Sequence, residues 1–262
     1  MKDKKYPILV TIPHGSSFVP KPLRRLMHLT DAQIRRNTDP FTDDIFDVPN
    51  AYIVKGRINR LVVDLNRAPD DIEMEYQLSN RGVVVSVDID GNPIYKTVPS
   101  TDMIAERVQS YHDAFHDQIE ELKPKIKFLI DGHSMRSVTP VTKPDARRER
   151  ADIVLGNRHY ITCSRVMTRK IMDFFEKRGL KVSVNDPFTG RYIIGYHCSR
   201  SDLPGIQVEI NEKLFMNLKT GHPYKKNIQA IQIIMTELVE LVHDELCKTT
   251  EKSTKIIQRK LF

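Results

Sequence analysis

Two histidines stand at the ends of two apolar segments. The motif Ile-Pro-His-Gly-Ser places His14 behind the apolar run 8–12, and Asp-Gly-His-Ser places His133 behind the run 128–130. Apolar runs that stop at Pro or Gly are typical of buried strands entering a turn, and such strand ends meet at one edge of an open α/β sheet. Imidazoles at that edge are suited to hold a divalent metal such as zinc. Asp131 points to the same side of its strand as His133 and is suited to orient that ring.

A catalytic zinc site takes three protein ligands and leaves one position for water, so the two histidines need a third partner. A predicted short acidic helix offers Asp43 or Asp44, and Asp39 is a further candidate. Glu209 stands inside another apolar strand. Spacing leaves two roles open for Glu209, because its carboxylate is suited either to bind the metal or to accept a proton from the bound water.

Groups that could grip an anionic substrate follow a further apolar run, Val-Val-Asp-Leu. Arg67 offers a planar guanidinium that matches a carboxylate, and Asn66 adds an amide donor beside it. The alternative carboxylate-binding residues are Arg60, Arg136 and Arg191. These cations favour a small anionic substrate.

Two other features have more than one interpretation. His112 and His116 lie four residues apart in a predicted helix, a spacing that can bind metal, but the Glu of the zinc-helix motif is absent between them. Packing against the neighbouring aromatic residues is the alternative. The segment 137–150 directly follows the strand of His133 and is either a lid over the site or a plain surface loop.

Apolar runs and helical patterns alternate along the chain. Strands separated by long helices predict an α/β fold with a mixed, mostly parallel sheet flanked by helices. We expect a single domain over 1–247 and a polar, basic tail over 248–262. The predicted strands cover 7–12, 51–55, 60–66, 83–88, 126–131, 152–156, 181–184, 191–195 and 206–210, and the predicted helices cover 30–37, 40–47, 101–122, 159–178 and 224–247.

Composition narrows the class of protein. The chain has 262 residues and a net charge of +7, but its basic residues are dispersed and no nucleic-acid-binding motif accompanies them. No apolar stretch approaches the ~20 residues of a membrane span, and the basic N-terminus meets an apolar run too short for a signal peptide. Three cysteines without a C-x-x-C spacing argue against a thiolate zinc site. We expect a cytoplasmic protein that binds neither membranes nor nucleic acid.

Five motifs in order carry a resemblance to a known family. Ile-Pro-His-Gly-Ser, Val-Val-Asp-Leu-Asn-Arg-Ala-Pro, Asp-Gly-His-Ser-Met-Arg-Ser, Asp-Ile-Val-Leu-Gly and Gln-Val-Glu-Ile-Asn occur between residues 8 and 217. Together they resemble the N-formylglutamate amidohydrolase family. The resemblance implies a fold like that of zinc-dependent exopeptidases and amidases, of the phosphorylase/hydrolase-like kind. It also implies hydrolysis of N-formyl-L-glutamate to L-glutamate and formate, a step of histidine degradation.

The resemblance also implies roles for single residues. His14, Asp43 and His133 match the positions of the metal ligands for one Zn²⁺ per chain, and Glu209 matches the general base. The pair Asn66-Arg67 resembles the pair with which zinc carboxypeptidases grip a substrate carboxylate. Arg191 departs from the family, which commonly has Gly there, and bears on which acyl group or amino acid is accepted. The alternatives are a related zinc peptidase or cell-wall amidase, and a nucleic-acid-binding protein on an inactive hydrolase fold.

Overall fold

A computed structural model describes residues 5–72, 82–138, 148–198 and 202–261 of the chain. Within these residues the backbone forms one six-stranded sheet in the order β2-β1-β3-β6-β4-β5. The strands are β1 (Ile8–Ile12), β2 (Tyr52–Lys55), β3 (Phe128–Met135), β4 (Ile153–Gly156), β5 (Val182–Val184) and β6 (Gly205–Asn211). β4 pairs antiparallel with β6, whereas every other neighbouring pair is parallel. The predicted mixed, mostly parallel sheet is therefore confirmed.

Helices cover both faces of this sheet. The α-helices are α1 (Lys21–Arg24), α2 (Asp31–Arg36), α3 (Thr42–Ile45), α4 (Thr101–Arg107), α5 (Ala114–Leu122), α6 (Arg165–Glu176) and α7 (Lys225–Leu261). A π-helix (Val108–Asp113) joins α4 to α5, a second π-helix spans Ile194–Cys198, and 3-10 turns span Lys123–Lys125 and Glu212–Leu214. None of the helices in the described ranges has the length and apolar character that a bilayer crossing requires.

The alternation of side chains along β1 divides the core into two layers. Ile8, Val10 and Ile12 pack with the apolar faces of α6 and α7, whereas Leu9 packs with α5 on the opposite side of the sheet. Successive side chains of a strand point to opposite faces, so a fully apolar strand such as β1 is buried on both. The sheet is thus held rigidly between two helical layers, and its strand ends form a fixed platform.

Three predicted strands are absent, for related physical reasons. Residues 60–66 form buried turns, and 191–195 lead into the second π-helix. The segment 83–88 makes a single bridge, Val87 to Pro93, around a tight turn at Gly91, whose φ is +88°. Short apolar runs are ambiguous, because a buried turn or helix needs the same residues as a strand.

Two helix boundaries also differ from the prediction. Helix α6 begins at Arg165, not near 159, because Arg158, His159 and Tyr160 all have positive φ and Ser164 caps the helix by accepting from the Met167 amide. Helix α7 continues to Leu261, so the predicted tail over 248–262 is helical almost to its end.

Candidate metal centre and active site

Two histidines and one carboxylate converge at the carboxyl ends of β1 and β3. His14, Asp39 and His133 are all buried, and one ligand atom from each lies within 4.8 Å of the others. Asp39 Oδ2 is 2.9 Å from His133 Nδ1 and 3.5 Å from His14 Nδ1. The predicted pairing of the two histidines at one sheet edge is therefore observed.

Each of these histidines is oriented by a second carboxylate. His14 Nε2 lies 2.7 Å from Asp64 Oδ1, and His133 Nε2 lies 2.9 Å from Asp131 Oδ2. Asp131 is fixed in turn by the Thr11 hydroxyl, which donates to its Oδ1 at 2.8 Å. Carboxylates that accept the outer N–H of a histidine fix its tautomer and leave the other nitrogen free for a metal. The expected role of Asp131 is confirmed.

The donor set fits a divalent metal such as zinc. Two imidazole nitrogens and one carboxylate oxygen are a combination found in catalytic zinc sites. His14 Nδ1 is buried and has no hydrogen-bond partner among the described residues, although it faces Asp39. A buried polar atom without a partner is costly unless something binds it, and a cation at this point would do so.

The carboxylate of this cluster is Asp39, so the predicted ligand Asp43 is placed elsewhere. Asp43 lies against Gly15, where an added Cβ would be only 2.6 Å from its Oδ1. It lines two neighbouring surface cavities, and burial raises its pKa despite the nearby Lys55. Asp44, the alternative ligand, is exposed.

The path of the backbone explains why Asp39 lies beside His14. Its amide donates to the carbonyl of His14 at 3.0 Å, which anchors the residue beside that histidine. Pro40 follows directly, and a residue before proline is kept out of helical conformation. The carboxylate therefore projects from the turn between α2 and α3 and not from the α3 helix itself.

Glu209 lines the same cavity, of about 150 Å³, as the two histidines. It is the register partner of His133 across β3 and β6, so both side chains leave the same face of the sheet. Gln207 donates to Glu209 Oε1 at 2.7 Å and also accepts from the Arg191 amide. Burial raises the pKa of Glu209 to about 7.

Glu212 is a further carboxylate at this cavity, and sequence reasoning missed it. It begins the 3-10 turn after β6, and burial raises its pKa to about 7, against the lowering effect of Arg136. Its position three residues after Glu209, just past the end of β6, was the available signal.

The predicted substrate-binding residues fall into two groups. Arg67 and Arg191 line both the central cavity and an adjoining cavity of about 450 Å³. Arg136 lines the central cavity, where its Nη1 donates to Asp90 at 2.9 Å. Asn66 is buried, with its Nδ2 3.4 Å from Asp131 and its Oδ1 accepting from the Ile193 amide. Asn66 lines both cavities as well, so the structure brings all four predicted substrate-binding residues to the central cavity.

Arg60 is engaged within the protein. Its Nη2 donates to Asp64 Oδ2 at 2.7 Å, and its Nη1 lies 3.7 Å from Asp39. Burial would raise the pKa of Asp64, but Arg60 and His14 hold it well below its usual range. Burial opposes ionisation of Asp39 in the same way, and hydrogen bonds with His133 and His14 lower its pKa. Asp39 and Asp64 therefore favour their ionised forms beside the two histidines.

The remaining expectations are resolved only in part. His112 and His116 are not part of the metal cluster found among the described residues, and both donate to backbone carbonyls. Their rings contact Phe115 and Tyr192, which favours the packing alternative over a metal pair. Most of the segment 137–150, for which a lid and a plain surface loop were the alternatives, lies outside the described residues, at 139–147.

The chain is similar to proteins of a known family. The sequence matches the family model described as N-formylglutamate amidohydrolase over residues 6–216. It is 22% identical over 250 residues to an N-formylglutamate deformylase of Pseudomonas putida, covering 90% of this chain and 92% of that protein.

Two solved structures share the fold. An N-formylglutamate amidohydrolase from Ralstonia eutropha superposes with a TM-score of 0.81 at 20% identity, covering 94% of this chain and 96% of that one. A gene product of Agrobacterium tumefaciens gives a TM-score of 0.63 at 18% identity, covering 96% and 93%. Since the family model spans most of the chain, the protein belongs to the N-formylglutamate amidohydrolase family.

Proposed function

We propose that the protein is a metal-dependent amidohydrolase that cleaves the amide bond of a small anionic N-acyl amino acid. The favoured substrate is N-formyl-L-glutamate, which with one water gives L-glutamate and formate. The observation that carries this proposal is the convergence of His14, Asp39 and His133 on a cavity that also holds Glu209, in a chain of this family. On the family resemblance we also propose a cytoplasmic role in histidine degradation.

Three residues would hold one divalent ion, with Asp39 in the place predicted for Asp43. His14 and His133 would bind through Nδ1, because Asp64 and Asp131 engage their Nε2 atoms. Zn²⁺ bound there would polarise the scissile carbonyl and lower the pKa of a water to about 7. Asp64 and Asp131 keep both rings in the orientation that this binding requires.

Glu209 would accept the proton of the attacking water and pass it to the departing amine. A proton shuttle works best when its pKa is close to the operating pH, and burial brings Glu209 there. The hydrogen bond from Gln207 to Oε1 fixes the orientation of the carboxylate at the cavity.

Arg67 and Arg191 would bind the carboxylates of the substrate. Both border the central and the adjoining cavity, so a substrate whose amide lies near His133 can place its anionic groups between them. Arg136 would contribute from the opposite wall of the central cavity. Guanidinium groups suit this task because they match a carboxylate with two parallel hydrogen bonds.

A comparison of N-acyl amino acids tests the proposal. The protein, supplied with Zn²⁺, is assayed for amine release from N-formyl-L-glutamate, N-acetyl-L-glutamate and N-formyl-L-leucine. We expect the highest kcat/KM for N-formyl-L-glutamate and loss of turnover on chelation. Equal activity on the leucine derivative would contradict recognition of the second carboxylate, and no hydrolysis of any of the three would contradict the amidohydrolase assignment.

A further inference from the structure

Three buried histidines lie behind the metal centre, outside the reaction described above. We call His112, His116 and His197 the rear histidine cluster. Their side chains are almost inaccessible, with relative exposures of 2%, 7% and 0%. The ring centroids of His112 and His116 are 4.3 Å apart, and His116 stacks on His197 at 5.0 Å. Buried polar rings of this kind must have defined hydrogen-bond partners.

Two of these rings hold the backbone on either side of Asn66. His116 Nε2 lies 3.0 Å from the carbonyl oxygen of Leu65, and His112 Nε2 lies 2.9 Å from that of Arg67. Since a carbonyl only accepts, both Nε2 atoms carry the hydrogen. The i,i+4 spacing that suggested a metal pair therefore serves to clamp one short segment at two points.

The third ring joins that segment to a different part of the chain. Because His116 donates through Nε2, its neutral Nδ1 accepts, and His197 Nε2 donates to it at 2.8 Å. A parallel link is made by the Ile193 amide, which donates to Asn66 Oδ1 at 2.9 Å. His197 belongs to the π-helix that follows Arg191, so the two chain segments with the candidate substrate arginines are tied together here.

The clamped segment also orients the metal centre. Asp64, at its start, contacts His14 Nε2, and Asn66 Nδ2 lies 3.4 Å from Asp131 Oδ2, the oxygen that accepts from His133 Nε2. A shift of the segment therefore moves the partners of both metal-binding histidines together.

We propose that the rear histidine cluster is a positioning device that holds residues 64–67 in register with the metal centre and with the Arg191 segment. Its rings contact backbone carbonyls, one another and the rings of Tyr192 and Tyr196, and His112 Nδ1 and His197 Nδ1 lie 3.4 Å and 3.2 Å from the carboxylates of Asp113 and Glu120. The cluster would act on the chemistry through Asp64 and Asn66. This inference rests on the proposed function for its link to the metal.

Substitutions at His116 separate its two hydrogen bonds. His116→Gln keeps an N–H donor near the Nε2 position and loses the acceptor for His197. His116→Asn keeps a polar atom near the Nδ1 position and loses the donor to Leu65. His116→Ala loses both. Ile171→Val, a core substitution in α6 on the other face of the sheet, controls for general loss of stability, and His28→Gln controls for exchange of an exposed histidine.

Amide hydrogen exchange of the metal-free protein measures directly how firmly residues 64–67 are held. The reporting amides are those of Asn66, which donates to Asp64 Oδ1, and of Ile193. We expect His116→Ala to speed exchange at both amides at least about tenfold, because two buried hydrogen bonds are lost. His116→Gln should keep the exchange rate of the Asn66 amide within about threefold of the wild-type rate. His116→Asn should raise that rate, because the bond to the Leu65 carbonyl is lost. Unchanged exchange in His116→Ala, or an equal increase in Ile171→Val, would overturn the inference.

Zinc titration against a competing chelator distinguishes this inference from the proposed function. We expect His116→Ala to weaken Zn²⁺ binding about tenfold, the lower end of what loss of an outer partner costs, and His116→Gln to restore most of the affinity. A wild-type protein that binds no Zn²⁺ would overturn the metal-dependent function, while the exchange experiment would still decide the positioning role.

Discussion

The metal-centre histidines and the rear histidine cluster show how differently one residue type behaves in two parts of the same core. Both groups are buried, and both consist of rings within about 5 Å of one another. His14 and His133 face carboxylates on both ring nitrogens, whereas His112 and His116 donate to backbone carbonyls. The partners, and not burial or spacing, separate a candidate metal site from a structural clamp.

This difference has an electrostatic consequence. Burial would lower the pKa of His133, but Asp131 and Asp39 raise it well above the ordinary value. Burial lowers the pKa of His116 to about 2 with no carboxylate to oppose it, and the neighbouring His112 adds to the effect. A ring with carboxylates on both nitrogens attracts cations, whereas His116, held between a backbone carbonyl and the ring of His197, keeps its proton fixed.

Of the effects expected to distinguish the metal centre from the rear histidine cluster, the largest is a loss of metal binding. Asp39→Asn removes a charged ligand from the centre of the cluster, so we expect zinc affinity to fall more than about 100-fold, beyond the range of outer-partner losses. Asp43→Asn is the matched control and should keep one Zn²⁺ per chain. Metal content after dialysis, by elemental analysis, gives the answer. Loss of zinc from Asp43→Asn but not from Asp39→Asn would instead assign the ligand role to Asp43.

The next largest effect is expected when the proposed general base, Glu209, is removed. Glu209→Gln keeps the shape and the bond from Gln207 but cannot take a proton, so we expect kcat to fall roughly 10²–10⁴-fold with the metal retained. Glu212→Gln, at the rim of the same cavity, should cost less than about tenfold, because its carboxylate lies past the end of β6. Steady-state kinetics with metal analysis compares the two variants. If Glu212→Gln were the more damaging, the base would have to be reassigned.

The fold and the two metal-centre histidines were predictable because strand ends and turns leave strong local signals. His14 and His133 each follow an apolar run closed by glycine or proline, and the parallel pairing of β1 with β3 brings them together. Asp131 was predictable from the period of two along the strand. These inferences needed only local geometry and one assumption about neighbouring strands.

The carboxylate that joins the two histidines was less predictable, because its position depends on how a turn is folded. Asp39, Asp43 and Asp44 lie within six positions, and only the backbone bond from Asp39 to His14 selects among them. The role of His112 and His116 escaped prediction for a similar reason, since their acceptors are backbone carbonyls, which every residue has. Where specificity comes from the path of the backbone, side-chain identity carries little information.

A smaller effect is expected at the arginines that are proposed to bind the substrate carboxylates. Arg67→Lys keeps the charge but loses the planar pair of donors, so KM for N-formyl-L-glutamate should rise about tenfold while kcat changes little. Arg191→Lys is the matched comparison, because Arg191 borders the same two cavities but is exposed. Kinetics on the acid and on its neutral amide would show whether the loss depends on the carboxylate. An equal loss on both would exclude Arg67 as its partner.

The smallest expected effect concerns the pH dependence of stability and tests the rear cluster. The titratable groups near the His116 ring are His112, His197, Lys123, Tyr192 and Tyr196. Burial and the first three of these groups oppose a positive charge on the ring. Above the unfolded pKa of about 6.5 the ring is neutral in both states and contributes nothing. Below it the unfolded chain binds a proton that the folded protein does not bind, so the free energy of unfolding falls.

Between pH 7 and about pH 5.5 this loss of stability should be about 1 kcal/mol larger in wild type than in His116→Gln, which has no proton to gain. Urea denaturation of both proteins at the two pH values measures the difference. An identical pH dependence would mean that His116 titrates normally in the fold, and the neutral, carbonyl-bound ring on which the contrast with His133 depends would have to be abandoned.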